Sequence, residues 1–121
     1  MSTTHEIFIE PSALLVDLPD EHVVLCHEVI GQSGLRVHRS ASVEAACEKI
    51  PRALPHLVIA GGGLSAASIA MLEDRAIAVG AVFVVLASGR DYESLLADLR
   101  GGVATARERF SRRRTGALRH S

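Results

Sequence analysis

Ala81-Val-Phe-Val-Val-Leu86 is the most hydrophobic run of the chain, and it predicts a strand that is buried on both faces. A second continuous apolar run, His56-Leu-Val-Ile-Ala60, comes earlier in the chain. An Ala-rich segment between the two runs predicts a helix from about Ser65 to Ile77, which Gly80 is expected to end. Two buried strands connected through a helix pair in parallel, so this part of the chain indicates a parallel sheet covered by helices.

The same alternation of strand and helix continues towards the N-terminus. Asp20 is a candidate N-cap for the first helix and Ser42 for the second. In the first helix Val24, Leu25, Glu28 and Val29 lie at helical spacing, so they are expected to share one face. Four strands that alternate with helices predict an α/β fold, a doubly wound parallel sheet with right-handed crossovers. The predicted elements are a strand over Ser12-Ala-Leu-Leu-Val-Asp17, a helix over residues 21–32, a strand over Leu35-Arg-Val-His38 and a helix from Ser42 to Ile50.

The last part of the chain departs from this pattern. A helix is predicted from about Asp91 to Arg100, and Gly101-Gly102 is expected to break it. Residues 103–114 are able to form a further helix, and nothing after Gly102 has the β-branched run of a strand. We therefore expect a sheet of four to five strands, with the fifth strand lost or replaced by helix. The predicted division is an N-terminal extension over residues 1–11, a domain over 12–102 and an Arg-rich C-terminal helix or tail over 103–121.

The composition limits the possible classes of protein. The chain has 121 residues, 48% of them hydrophobic and 22% charged, which favours one globular domain. No apolar run approaches the roughly 18 residues that a membrane-spanning helix needs, so no membrane association is expected. Cys26 and Cys47 fit no metal spacing and the six His are scattered, so we expect reduced thiols, no metal site and a cytoplasmic location.

The net charge of −1 hides an asymmetry along the chain. Residues 1–100 hold seven basic and thirteen acidic side chains, a net charge of −6. Residues 101–121 hold six Arg and one Glu, a net charge of +5. This separation of acidic and basic residues affects which partners the protein binds, but it does not indicate the fold.

Three segments resemble parts of the receiver domain of bacterial response regulators. Val16-Asp-Leu-Pro-Asp-Glu21 is similar to the first strand and acidic turn of that family, Pro55-His-Leu-Val-Ile59 to its third strand and Val84-Val-Leu-Ala-Ser88 to its fourth. The resemblance covers roughly residues 12–102. It implies a flavodoxin-like, CheY-like fold whose functional edge lies at the carboxyl ends of the strands.

The residues that carry the phosphoryl chemistry of this family are largely missing. The family holds Mg²⁺ with two acids after the first strand; here Asp17 matches the first and Leu18 replaces the second. The phospho-accepting Asp falls on Gly61, and Ala87 occupies the Ser or Thr position after the fourth strand, with Ser88 one residue late. The Lys of the fifth strand has no counterpart, because the single Lys of the chain lies in the second predicted helix. Phosphoryl transfer needs a nucleophile and a cation, so the resemblance implies the fold without the activity.

These departures predict a degenerate receiver, or pseudo-receiver, that is not an enzyme. We expect a phosphorylation-independent signalling module with no cofactor and no catalytic residue, which acts in a bacterial regulatory pathway by protein–protein interaction. Its partner is expected to be another protein. A homodimer is the other possibility, since a missing fifth strand would leave one edge of the fourth strand open.

A competing interpretation rests on Leu57-Val-Ile-Ala-Gly61-Gly-Gly63-Leu-Ser-Ala66, which also resembles the dinucleotide-binding fingerprint of Rossmann-like domains. The turn over Gly61–Gly63 would present backbone amides at a helix N-terminus to a pyrophosphate. The next strand ends in Ala87-Ser-Gly89, without the acid that binds a ribose hydroxyl. The missing acid favours a simple tight turn over a cofactor site.

The arginines near the C-terminus support a second alternative. Arginine suits phosphates and stacks on guanine, so a cyclic dinucleotide or a nucleic acid is a candidate ligand. Basic tails are more often solvated or paired with an acidic body, and salt-sensitive binding would distinguish a ligand site from such a tail. The candidate anion- or partner-binding residues are Arg107, Arg109, Arg112, Arg113 and Arg114.

Overall fold

The computed structural model describes residues 11–87 and 89–119, with side chains as far as residue 111. Four strands alternate with four helices over these residues. The elements in chain order are β1 (Ser12–Val16), α1 (Asp20–Gln32), β2 (Arg36–Ser40), α2 (Val43–Ala53), β3 (Leu57–Gly61), α3 (Ala66–Ala78), β4 (Val82–Leu86) and α4 (Tyr92–Arg119).

The strands form one parallel sheet in the order β2-β1-β3-β4. Helices α1 and α4 pack on one face of the sheet, and α2 and α3 pack on the other. The predicted doubly wound α/β fold is confirmed. Within the described residues no strand follows β4, and the segment after it forms α4. This agrees with the prediction from the missing β-branched run that the fifth strand is replaced by helix.

The continuous apolar runs are explained by the two covered faces. Ala13 and Leu15 of β1 pack towards α1 and α4, whereas Leu14 and Val16 pack towards α2 and α3. Every residue of β1 and of β3 is buried, because both strands lie inside the sheet and both of their faces are covered. The two cysteines are free and buried, and burial raises the pKa of the Cys26 thiol to about 12.

Of the two N-caps predicted from the sequence, one is confirmed and one is wrong. Ser42 caps α2, because its hydroxyl accepts a hydrogen bond from the N–H of Ala45 at 3.1 Å. The prediction that Asp20 caps α1 is wrong: the N-cap is Pro19, which has no side-chain cap. Asp20 is instead the first helical residue, where its negative charge lies beside the positive end of the helix dipole.

The apolar face of α1 agrees only in part with the predicted one. Leu25 is buried and Val29 packs against the core, whereas Val24 is 67% exposed, so the placement of Val24 on the buried face is wrong. The residues that face the sheet and α4 include His22, Cys26 and Ile30, at spacings of four along the helix. The buried side of α1 therefore begins with His22. The spacing of the apolar residues alone did not identify this side.

Helix α4 is one continuous helix, and the break predicted at Gly101-Gly102 is wrong. Gly102 is buried, and a Cβ built on it would lie 2.7 Å from Cγ2 of Val84 and 3.4 Å from Cδ1 of Leu57. The missing side chain lets the helix backbone approach β4 and β3 closely. Tertiary packing of this kind stabilises a helix through a residue whose intrinsic propensity is unfavourable.

We expect the two neighbouring glycines of α4 to respond oppositely to alanine. Gly102→Ala inserts a methyl group against Val84 and should lower the free energy of unfolding by about 1–3 kcal/mol. Gly101→Ala meets open space and should raise it by up to about 1 kcal/mol, since alanine is the better helix former. Urea denaturation of both variants measures the difference, and equal stabilities would contradict the close packing at Gly102.

Candidate functional site

The carboxyl ends of β1, β3 and β4 lie at one edge of the sheet, where a doubly wound fold places its functional crevice. We refer to the residues at this edge as the strand-end site. It consists of Asp17, Leu18, Gly61, Ala87 and Ser88, of which Ser88 lies outside the described residues.

Gly61 packs directly against the turn between β1 and α1. A Cβ built on Gly61 would overlap the carbonyl oxygen of Asp17, and it would lie 3.3 Å from the carbonyl carbon of Asp17 and 3.7 Å from Cα of Leu18. The neighbouring atoms belong to the backbone, so they cannot move aside as the end of a flexible side chain can. The space that a side chain at position 61 would need is therefore filled by backbone.

The acidic turn supplies one carboxylate and one core side chain. Asp17 is exposed and has a left-handed backbone with φ of 52°, and its N–H donates to the carbonyl of Ser40 at 3.3 Å. Leu18 is only 9% exposed and packs into the apolar cluster between the sheet and helices α1 and α4. Leu18, which stands where the family has its second acid, thus stabilises the core and offers no side-chain ligand to a cation.

Magnesium, which the receiver resemblance implies, does not fit these residues. Mg²⁺ prefers an octahedral shell of oxygen ligands and is usually held by more than one acidic group or by phosphates. At the strand-end site Asp17 offers a carboxylate, whereas Leu18, Gly61 and Ala87 offer no side-chain oxygen. In the part of the chain that the structure describes, no group of three or more His, Cys, Asp or Glu side chains could hold a metal ion.

The glycine turn after β3 uses its backbone groups within the chain. The N–H of Gly62 donates to the carbonyl of Leu86 at 2.9 Å, and the N–H of Leu64 donates to the carbonyl of Gly61 at 3.3 Å. Ser65 caps α3 by accepting a hydrogen bond from the N–H of Ser68 at 3.1 Å. These bonds occupy the amides of Gly62, Leu64 and Ser68 within the chain. Dinucleotide binding at this turn stays a prediction.

The candidate arginines all lie on α4, far along the helix from its start. Arg107 and Arg109 are exposed, and the side chains of Arg112, Arg113 and Arg114 lie outside the described residues. Phe110 lies among them and makes an edge-to-face contact with His56, with ring centroids 4.8 Å apart. His56 immediately precedes β3, so this part of α4 is at the opposite end of the sheet from the strand-end site. Binding of a cyclic dinucleotide or nucleic acid there stays a prediction.

Sequence reasoning missed two features. A shallow, open depression of about 490 Å³ lies beside α2 and the end of β2, and its lining includes the cations Arg39, Lys49 and Arg52 together with Glu48. Lys49 and Arg52 are three residues apart, so the helical spacing could have shown that they share a face. Nδ1 of the buried His22 has no hydrogen-bond partner within residues 11–87 and 89–119, and no local pattern indicates it.

Comparison with known proteins identifies the fold. No family model and no curated protein matches the sequence. The signal receiver domain of an HD domain-containing protein from Pseudomonas fluorescens Pf-5 is similar in structure, with a TM-score of 0.55 and 18% identity over 88% of this chain and 96% of that one. The signal receiver domain of a protein described as a Luxo repressor from Vibrio parahaemolyticus has a TM-score of 0.53 and 14% identity over 83% of this chain and 95% of that one.

These similarities show that the chain has the CheY-like fold of bacterial signal receiver domains. The fold class expected from the sequence resemblance is confirmed. Among the described helices, none is both long enough and apolar enough to cross a membrane.

Proposed function

We propose that this chain is a phosphorylation-independent receiver-like module that acts in bacterial signal transduction by binding another protein. It is a pseudo-receiver of the cytoplasm, without catalytic activity and without a cofactor. The receiver fold supports the signalling role. The close contact of Gly61 with the backbone of Asp17 is the observation that supports phosphorylation independence, because it leaves no space for the side chain of a phospho-acceptor.

The chemistry of phosphoryl transfer supports the same conclusion. Transfer to a protein side chain needs a nucleophile in line with the phosphorus and cations that neutralise the equatorial oxygens. Gly61 has no side chain, Leu18 is buried in the core, and Ala87 has no hydroxyl. The exposed carboxylate of Asp17 has no partner acid beside it on the strand ends, so it does not supply both nucleophile and cation site.

A module without a chemical switch acts through the surfaces that it presents. Val24, Ile77 and Tyr92 each expose more than half of their surface, and they lie on three different helices. Burying apolar surface of this kind against a partner stabilises a complex by about 25 cal/mol per Å². The exposed apolar side chains are therefore consistent with docking to protein.

Beryllofluoride with Mg²⁺, which mimics a phosphoryl group on an aspartate, tests the proposal. We expect the amide resonances next to Asp17 and Gly61 to stay unchanged in NMR spectra, since neither an acceptor nor a second acid is present. A receiver domain with all of its acids is the positive control for the reagent. Saturable shifts at the strand-end site of this chain would overturn the proposal.

A further inference from the structure

The edge strand β4 directs half of its backbone groups away from the sheet. The N–H of Val82 donates to the carbonyl of His56 at 3.0 Å, and the carbonyl of Leu86 accepts from the N–H of Gly62 at 2.9 Å. In a parallel ladder the residues that bond to one neighbour alternate with residues that face the other side. The even-numbered residues of β4 therefore bond to β3.

The odd-numbered residues Phe83 and Val85 consequently point their N–H and C=O groups outward. Within residues 11–87 and 89–119, β4 pairs with β3 alone. Two donors and two acceptors thus line an open edge of the sheet. Backbone groups of this kind form a template for another strand.

The other edge of the sheet has the protection that β4 lacks. Strand β2 carries Arg36 and Arg39, and charged side chains on an edge strand oppose pairing with a further strand. Strand β4 reads Val-Phe-Val-Val-Leu, with no charged residue, and four of its five residues are only half-buried. An open, uncharged edge of β-branched and aromatic residues is suited to pairing.

We propose that β4 pairs with β4 of a second copy of this chain in an antiparallel, two-fold symmetric dimer. With the two-fold axis at Val84, Phe83 of each copy lies opposite Val85 of the other. Residues opposite each other as a hydrogen-bonded pair exchange both of their bonds, so all of the outward groups of Phe83 and Val85 are satisfied. The two sheets join into one.

The position of α4 permits this arrangement. Gly102 lies against both Val84 of β4 and Leu57 of β3, so the helix crosses above these two strands. With its axis midway between these two strands, α4 would lie about two strand spacings, or about 9–10 Å, from α4 of the second copy across a two-fold axis beside β4. Packed helices are 8–10 Å apart, so the helices make contact without overlap.

The charges on α4 favour an antiparallel partner of the same kind. Asp91 precedes the helix and Glu93 lies in its first turn, whereas the part after Gly102 carries the exposed Arg107 and Arg109 with Glu108 between them. The two-fold axis makes the helices antiparallel, so the acidic start of one approaches the basic part of the other. This complementarity selects a second copy of the chain over an unrelated strand.

Hydrogen exchange tests the pairing residue by residue. In the full chain, NMR should show the amides of Phe83 and Val85 exchanging at least about tenfold more slowly at high protein concentration than at low. The outward amides of Val37 and Arg39 on β2 are the matched control and should not change. A concentration-dependent dimer in sedimentation should accompany the protection. A monomer at all concentrations, or a dimer whose Phe83 and Val85 amides stay unprotected, overturns the proposal.

A pair of lysine variants gives an independent test. Val85→Lys places a charge on the half-buried edge, outside both buried clusters, and should give a folded monomer by circular dichroism and sedimentation. Val24→Lys, on the exposed side of α1, should dimerise like the unchanged chain. Dimerisation of both variants contradicts the β4 interface, and if Val85→Lys does not fold, the exchange data on the unchanged chain decide.

This inference rests on the proposed function, since it names one partner of an interaction module. Experiments can refute the dimer and the proposed function separately. A chain that binds no beryllofluoride and remains monomeric overturns the dimer and leaves the module. A chain that shows shifts with beryllofluoride overturns the module, whatever its oligomeric state.

Discussion

Removal of residues 103–121 is expected to leave a chain that unfolds or aggregates. Val103 and Ala106 are 4% and 1% exposed, and they belong to the cluster that fills the space between the sheet and α1. The deletion cuts α4 next to Gly102 and uncovers the faces of β3 and β4 that the helix shields. Apolar side chains of the core would then face water.

The expected loss is large relative to the stability of a small domain. Burial of one Val, Leu or Phe side chain stabilises the folded state by about 1.5–3 kcal/mol, and several side chains change their surroundings here. The whole stability of a domain is about 5–15 kcal/mol. The lost burial is therefore enough to unfold the chain or to drive self-association through the uncovered face.

A shorter deletion is the matched control. Removing residues 112–121 leaves Val103, Ala106 and the Phe110 contact with His56 in place, so this variant should remain folded. Changing Arg112, Arg113 and Arg114 to Ser should also leave the fold intact. Thermal unfolding followed by circular dichroism, together with size-exclusion chromatography, measures all three. A fragment 1–102 with the same midpoint as the full chain would show that the end of α4 contributes nothing to stability.

Gly61→Asp is the second substitution with a large expected effect. Even the Cβ of the new side chain overlaps the carbonyl oxygen of Asp17, so the turn between β1 and α1 must move. Overpacking against backbone in a buried place, together with burial of a carboxylate, should lower the free energy of unfolding by about 3–4 kcal/mol. Restoring the acid that the family uses thus damages this fold.

Gly63→Asp provides the comparison for that variant. Gly63 is exposed and a Cβ there meets open space, so the same acidic side chain should change the stability by less than about 0.5 kcal/mol. Urea denaturation of the two variants measures the difference. Equal stability of Gly61→Asp and the unchanged chain would mean that the backbone at the strand ends moves easily and that the strand-end site is open to a side chain.

The order of strands and helices was predictable because each central strand is buried on both faces. Such strands need continuous apolar runs, and His56–Ala60 shows that pattern without any knowledge of its neighbours. Ala81–Leu86 has the same kind of run, but burial on both faces was the wrong expectation for it, because β4 is an edge strand and four of its five residues are only half-buried. The cap at Ser42 was predictable because it depends on local geometry: its hydroxyl accepts from an amide only three residues away. Local sequence is sufficient for features that depend on local geometry.

Three other features that sequence reasoning missed depend on contacts between distant segments. The helix continues through Gly102 because Val84 and Leu57 lie against it, and these residues are in other elements. The exposure of Val24 reflects the side of α1 on which the sheet lies, which apolar spacing alone does not decide. The sequence shows that Gly61 lacks a nucleophile, but only the structure shows that the backbone of Asp17 fills the space.

Intact-mass measurement after incubation with acetyl phosphate and Mg²⁺ shows whether the strand-end site accepts a phosphoryl group. We predict an unchanged mass, because Gly61 offers no acceptor and Leu18 offers no second acid to hold the cation. A receiver domain with its acids in place, treated in the same way, should gain the mass of one phosphoryl group. The same gain in this chain, mapped to Asp17 or to any other residue of the strand-end site, would show that the chain is a phosphorylatable receiver and not a pseudo-receiver.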